Sequence, residues 1–338
     1  MPKSRCLAEW FSVVLLILCM AVAVSAQSKG IDPALLAKAK AGNAAAEFQV
    51  GLDYRNGAGV PEDAAQAVIW WRKAAEQGFA RAQILLGVCY SEGRGVTLDY
   101  AQSVLWYRKA AEQGDAIGEG ALGVDYELGQ GVPQDSAQAT IWYGKAAEQS
   151  DAFAQFSLGD MYRKGKGVPQ DYAKAAVWYR KAAEQGYALA QWSLGSMFLI
   201  GQGVPQDYAE AAVWFRKAAE QGYAYAQSML GHAYENGQGV PQDYAQAALW
   251  YGNAAEQGDA LAQWSLGTLY EYGHGVPQDY AEAYFWLNLA ASGRIEGIKQ
   301  EDVAKERDAA ASHLTPADLS RAQERARQWF ENHPAKPQ

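Results

Sequence analysis

The chain has 338 residues, of which 49% are hydrophobic, 12% aromatic and 20% charged, so it has ample apolar surface to bury and is not composed like a disordered chain. Its formal net charge of −9 is opposite in sign to what a nucleic acid or an anionic membrane surface attracts. Of its 3 cysteines, Cys6 and Cys19 sit near the start and Cys89 stands alone, which excludes a disulfide framework.

Residues 1–26 read as a signal peptide. Lys3 and Arg5 give a positive start, Phe11 to Val24 is apolar apart from Ser12, and Val24-Ser25-Ala26 fits cleavage before Gln27. The apolar run is short against the about 20 residues of a membrane-spanning helix; the alternative is retention as an uncleaved anchor. A lipid anchor on Cys19 is disfavoured, because Leu18 stands where a small residue belongs. Cleavage changes the basic count from 29 to 27 and the acidic count from 38 to 37, a net charge of −10. The predicted location is periplasmic or secreted, with no membrane span after cleavage.

Residues 27–42 form a lead-in with a short helix over 31–41. From 43 to 293 one pattern recurs seven times with a period of 36 residues: Gly57-Ala58-Gly59-Val60 is followed by equivalents starting at Gly93, Gly129, Gly165, Gly201, Gly237 and Gly273. Trp70, Trp106, Trp142, Trp178, Trp214, Trp250 and Trp286 keep the same spacing. A fixed period of this length means stacked repeats, each touching only its neighbours. The repeat from Asp151 to Gly186 predicts a helix over 152–163 and a second over 170–185. Gly165 and Gly167 end the first, since glycine takes the left-handed conformation without strain, and Pro169 suits the first turn of the second. Residues 294–333 read as a polar helical cap, with helices over 297–312 and 315–332, and 334–338 as a disordered tail.

The motif Ala154, Leu158, Gly159, Tyr162, Gly165, Gly167, Val168, Pro169, Asp171, then Ala175, Trp178, Lys181, Ala182, Ala183 and Gly186, resembles the Sel-one-like repeat family, relatives of the tetratricopeptide repeats. The resemblance covers about three quarters of the chain. It implies an all-α fold: a right-handed α/α superhelical solenoid of seven helix pairs with a C-terminal helical cap. It also implies a scaffold that holds proteins together, often in the bacterial envelope. Some cysteine-rich members are linked to penicillin binding or hydrolysis, but this chain lacks their cysteine pairs.

Counting Asp151 as position 1, the leading helix of each repeat keeps alanine at position 4, leucine at 8, glycine at 9 and tyrosine at 12, with one exception each at 4, 8 and 12. These positions fall in one sector of a helix of about 100° per residue and read as the packing face. Helical glycine costs about 1 kcal/mol against alanine; its sevenfold recurrence predicts a close approach of the second helix and its tryptophan. Positions 3, 6, 10, 13 and 14 vary and occupy the opposite sector. They nominate a partner-binding stripe of Phe153, Phe156, Asp160, Arg163, Leu189, Trp192, Ser196, Tyr225, His232, Glu235, Leu261, Trp264, Thr268 and Glu271, its aromatics acting as anchors. The competing explanation is that these aromatics wedge between neighbouring leading helices.

Catalytic constellations are not evident. Cys89 lies beside the packing face and reads as a buried, inert thiol. His232, His274, His313 and His333 show no metal-ligand spacing, so no metal and no cofactor is expected. The Gly-x-Gly turns follow helices rather than strands, which excludes a dinucleotide loop. The recurring aspartates from Asp63 to Asp279 read as helix starts. The expected function is a non-enzymatic exported scaffold for a protein or peptide partner along the concave face; the alternative is a cell-wall glycan binder. The third repeat, with Gly118, Gly120, Gly123, Gly144 and Ser150, is expected to act as a hinge or early-opening unit near residues 115–150.

Overall fold

The computed structural model describes residues 30–333, and the segments read as signal peptide (1–26) and tail (334–338) lie outside them. The described residues are all-α: helices α1 to α17, with no strand. Helix α1 (Pro33–Lys40) precedes the repeats. The leading helices are α2 (Ala44–Asn56), α4 (Ala80–Glu92), α6 (Ala116–Leu128), α8 (Ala152–Lys164), α10 (Ala188–Ile200), α12 (Ala224–Asn236) and α14 (Ala260–Tyr272). Their partners are α3 (Ala64–Glu76), α5 (Tyr100–Glu112), α7 (Ser136–Glu148), α9 (Tyr172–Glu184), α11 (Tyr208–Glu220), α13 (Tyr244–Glu256) and α15 (Tyr280–Ala290). Two further helices follow, α16 (Gln300–Ser312) and α17 (Pro316–Asn332). The helices pack consecutively, as in an α solenoid of seven repeats. The chain divides into two compact units, Met1–Lys181 and Ala182–Gln338, the division falling within α9.

The second helices start on aspartate. In the first unit Asp63, Asp99, Asp135 and Asp171, and in the second Asp207, Asp243 and Asp279, each accept a hydrogen bond from the backbone N–H three residues on, at 2.9–3.0 Å. This satisfies a donor that a helix start leaves free. Pro169 therefore falls in the loop ahead of the cap: α9 begins at Tyr172, later than the glycine-proline spacing predicts.

The two glycines of each turn have separate tasks. The first caps its leading helix in the left-handed region, at φ 64–71°. The second also has positive φ, and at Gly95, Gly131, Gly167, Gly239 and Gly275 a Cβ would strike the start of the preceding second helix, Ser136 for Gly167 and Tyr208 for Gly239. It is therefore a point of contact between repeats, not a helix stop.

The helical glycine at position 9 does admit the second helix, but not through the recurring tryptophan. In the first unit a Cβ on Gly159 would lie 2.8 Å from the Tyr179 ring; in the second, Gly195 and Gly231 would meet Phe215 and Tyr251 at the same distance. The buried ring is thus the residue after the tryptophan. Tyr107, Tyr143, Tyr179, Phe215 and Tyr251 are among the largest fully buried side chains. The tryptophans turn the other way, toward a lysine one helical turn on. Lys73, Lys109, Lys145 and Lys181 in the first unit, and Lys217 in the second, lie 3.9–4.1 Å from the ring centres of Trp70, Trp106, Trp142, Trp178 and Trp214.

A buried amide ladder joins the repeats. Gln83 and Gln155 in the first unit donate to the carbonyls of Ala75 and Ala147 at 3.0 and 3.1 Å; Gln191, Gln227 and Gln263 in the second reach Ala183, Ala219 and Ala255 at 3.0–3.2 Å. Three of these side chains also accept from a glutamine near the end of their own repeat: Gln113 donates to Gln83, Gln221 to Gln191 and Gln257 to Gln227, at 2.7–2.8 Å. Each of these three thus pairs both its amide N–H and its carbonyl, and fixes a neighbouring helix end.

At the end of the second unit, α16 and α17 both pack on α15. Ala310 and Ala322 bury against Ala283 and Tyr284, while Val303 closes over Ala290 and Ile295. Thr315 caps α17, accepting from Asp318 N at 3.2 Å.

Candidate functional site

The variable positions of the leading helices do not form one open stripe. Within the first unit Phe153 and Asp160 are 5% and 4% exposed. Phe153 sets its ring edge-on to Tyr143, 6.1 Å between centres, on the preceding second helix. Phe156 is half-buried, 5.5 Å from Tyr179. Asp160 accepts from Arg163 at 2.7 Å and from Lys164 at 2.6 Å, and Arg163 donates to the Tyr179 hydroxyl at 3.1 Å. Burial and the Asp160 carboxylate push the Tyr179 phenol well above its ordinary range. Phe153 and Asp160 are therefore interior residues: in the fourth repeat stacking turns position 3 onto the preceding second helix and position 10 toward its own. Arg163 is engaged in the same network.

Within the second unit Leu189 is buried, 8% exposed. The seventh repeat is covered by the cap. Trp264 donates its indole N–H to Glu306 of α16 at 2.6 Å, and Leu261 and Trp264 pack on the core that includes Ile295 and Val303. Glu271 is half-buried, and burial, with Glu306 adding its charge and His313 opposing it, raises its carboxyl above the ordinary value. Thr268 turns inward onto its own helix, donating to Trp264 O at 3.0 Å. Leu261, Trp264, Thr268 and Glu271 thus sit under or beside the last helices, where a terminal apolar face needs cover.

What stays open lies on α10 and α12. Trp192 is half-buried and Tyr225 is 55% exposed. With Tyr223 they form a triangle of rings whose centres lie 5.8–6.2 Å apart. Ser196 lies one turn on and donates to Trp192 O at 2.9 Å. His232 is exposed on the same helix as Tyr225. Glu235 is half-buried and accepts from the Tyr251 hydroxyl at 2.7 Å, so its carboxylate is anchored at the edge.

Tyr223 is the member that the repeat comparison missed. It occupies position 1, where Asn43, Asp115, Asp151 and Asp259 cap their helices by side-chain hydrogen bonds. At Phe79, Tyr187 and Tyr223 an aromatic replaces the cap and makes no such bond. Loss of a cap costs about 1 kcal/mol. An aromatic in a capping position was the available signal.

Cys89 is buried, and burial, with Glu92 nearby, pushes its thiol up to about 12, so it is no nucleophile at neutral pH. Among the described residues no cluster of three or more His, Cys, Asp or Glu could hold a metal ion, and no helix is long and apolar enough to cross a membrane.

Helix pairs stacked at a 36-residue period, joined by glycine contacts and an amide ladder, define a repeat scaffold. The chain belongs to the Sel1 repeat family, which matches residues 44–79, 80–115, 119–151, 152–187, 188–223, 224–259 and 260–293. A solved Sel1 repeat protein from Oxalobacter formigenes is 38% identical, with 80% of this chain and 78% of that one covered and a TM-score of 0.66. A protective antigen of uropathogenic Escherichia coli that displays the same repeat fold is 32% identical, covering 88% of this chain and 86% of its own, with a TM-score of 0.53. No curated protein matches significantly. Sel1 repeat proteins generally serve as protein-interaction scaffolds and are generally non-catalytic.

Proposed function

We propose that the chain is an exported, non-enzymatic scaffold that captures a protein or peptide partner on the leading helices of its second unit, in envelope signalling or host interaction. The observation that carries this reading is the Trp192–Tyr223–Tyr225 triangle, solvent-facing at Tyr225 and present where a helix cap has been given up. Rigid aromatics at low side-chain entropy, with His232 and Glu235 further along the helix that carries Tyr225, are what protein interfaces use as anchors. Export rests on the leader pattern of residues 1–26, and periplasmic or secreted material beginning at Gln27 would bear it out. The antigenic E. coli relative is in keeping with an exported role.

The test is capture from envelope extract with Tyr225→Ala and Trp192→Ala. Both variants should lose captured protein by about tenfold or more, the scale of an anchor residue, while Tyr225→Ala melts like the parent. Undiminished capture by both would end the proposal. The same rings could stack on sugars, which keeps a cell-wall glycan as the alternative ligand; ring-dependent retention on purified cell wall would favour it.

A further inference from the structure

Repeat six lacks a contact that five others make. Where Lys73, Lys109, Lys145, Lys181 and Lys217 place an ammonium over the recurring tryptophan, the residue one turn after Trp250 is Asn253. Trp250 and Asn253 both line a cavity of about 1070 Å³ within the second unit, between the ends of α11 and α13 and the last turns of α17. Glu220 and Glu256 stand on its wall, and Trp286 and Trp329 add aromatic surface. The one arginine there is already engaged: Arg325 pairs with Glu282 and lies 3.8 Å from the Phe285 ring centre. The His333 ring stacks on Trp329 at 4.1 Å. The cavity thus offers an aromatic face and two carboxylates without the lysine that serves this position elsewhere.

We propose that this cavity is a second binding site, which takes a lysine side chain presented by a peptide segment of a protein partner. The ammonium would sit over Trp250 as Lys217 sits over Trp214, drawn by the ring quadrupole and by Glu220 and Glu256. The volume is at the upper end of ligand pockets and admits the residues flanking the lysine. The site rests on the scaffold reading but uses the second helices, so it is separable from the Trp192–Tyr223–Tyr225 surface.

The test uses the full mature chain and two probes, acetyl-Gly-Lys-Gly-amide and the same peptide acetylated on the lysine Nε. The Trp250 indole N–H signal is followed by NMR during titration. The free amine should shift it saturably, and the acetylated probe should bind at least about tenfold more weakly. Asn253→Lys, an exposed helix substitution that restores the missing contact, should abolish the response and leave the other indole signals in place. Equal response to both probes, a response that persists in Asn253→Lys, or no response to the amine would each overturn the proposal. A response seen only in Lys336→Gln would assign the cavity to the chain's own tail and overturn it as well. Loss of partner capture in Tyr225→Ala with this titration unchanged would show that the two surfaces act independently.

Discussion

The third and fifth repeats share one frame and use it differently. Both start the second helix on an aspartate cap, Asp135 and Asp207, and both seat a buried ring against a helical glycine, Tyr143 on Gly123 and Phe215 on Gly195. At position 11 the fifth repeat buries Met197, whereas the third buries Asp125, whose Oδ2 has no hydrogen-bond partner. At position 30 the fifth has Arg216, which donates to the Tyr234 hydroxyl of the next repeat at 2.5 Å; the third has Gly144, with open space around it. At position 36 the fifth has Gly222 at φ 84°; the third has Ser150 at φ 66°, the only non-glycine with positive φ among the described residues. Gly118 is different in kind: a Cβ there would approach that of Ala110 to 2.8 Å, so this glycine permits a close contact. The frame tolerates these losses because stability in a stacked array is a sum of local terms. One repeat can therefore vary without the frame of another changing.

The largest effects should be the same in both repeats. Tyr143→Ala and Phe215→Ala should each cost about 3–5 kcal/mol, the range for emptying a buried aromatic site, measured by urea unfolding. A marked difference between them would mean that the frames are not equivalent.

Next comes the buried acid. Burial raises the Asp125 carboxyl from the ordinary 3.8 to about 8. Below the unfolded value of about 4 both states are protonated and stability is fully present. As pH rises toward 8 the unfolded chain ionises while the folded one does not, so stability falls, and above 8 it levels off. Hydrogen exchange corrected for intrinsic rates should show α6 and α7 losing protection between pH 5 and 8 while α10 and α11 keep theirs. Asp125→Asn should flatten this dependence and recover on the order of 5 kcal/mol at pH 8. Unchanged protection of α6 across this range would show that the Asp125 carboxyl is not raised by its burial.

Smallest is the loop. Ser150→Gly should stabilise by about 1 kcal/mol, because glycine takes positive φ without steric strain, and should raise the melting temperature by a few degrees at most. A decrease would mean that the serine has a role beyond its backbone.

The periodicity alone determined the repeat length, the helix pairs, the glycine ends and the aspartate starts, because each depends on local backbone chemistry repeated seven times. The amide ladder was visible as a glutamine or glutamate at position 5 and a glutamine at position 35 of six repeats, but its meaning required knowing which carbonyl lay within reach. Which ring meets Gly159, Tyr179 rather than Trp178, was decided by helix crossing, since adjacent residues point about 100° apart and a small rotation exchanges them. Tertiary packing likewise buried Phe153, Asp160 and Leu189, put Leu261 and Trp264 beneath the cap, and left Tyr225 in solvent. A variable position is one that stacking does not dictate, and only the neighbouring helix determines whether it is free.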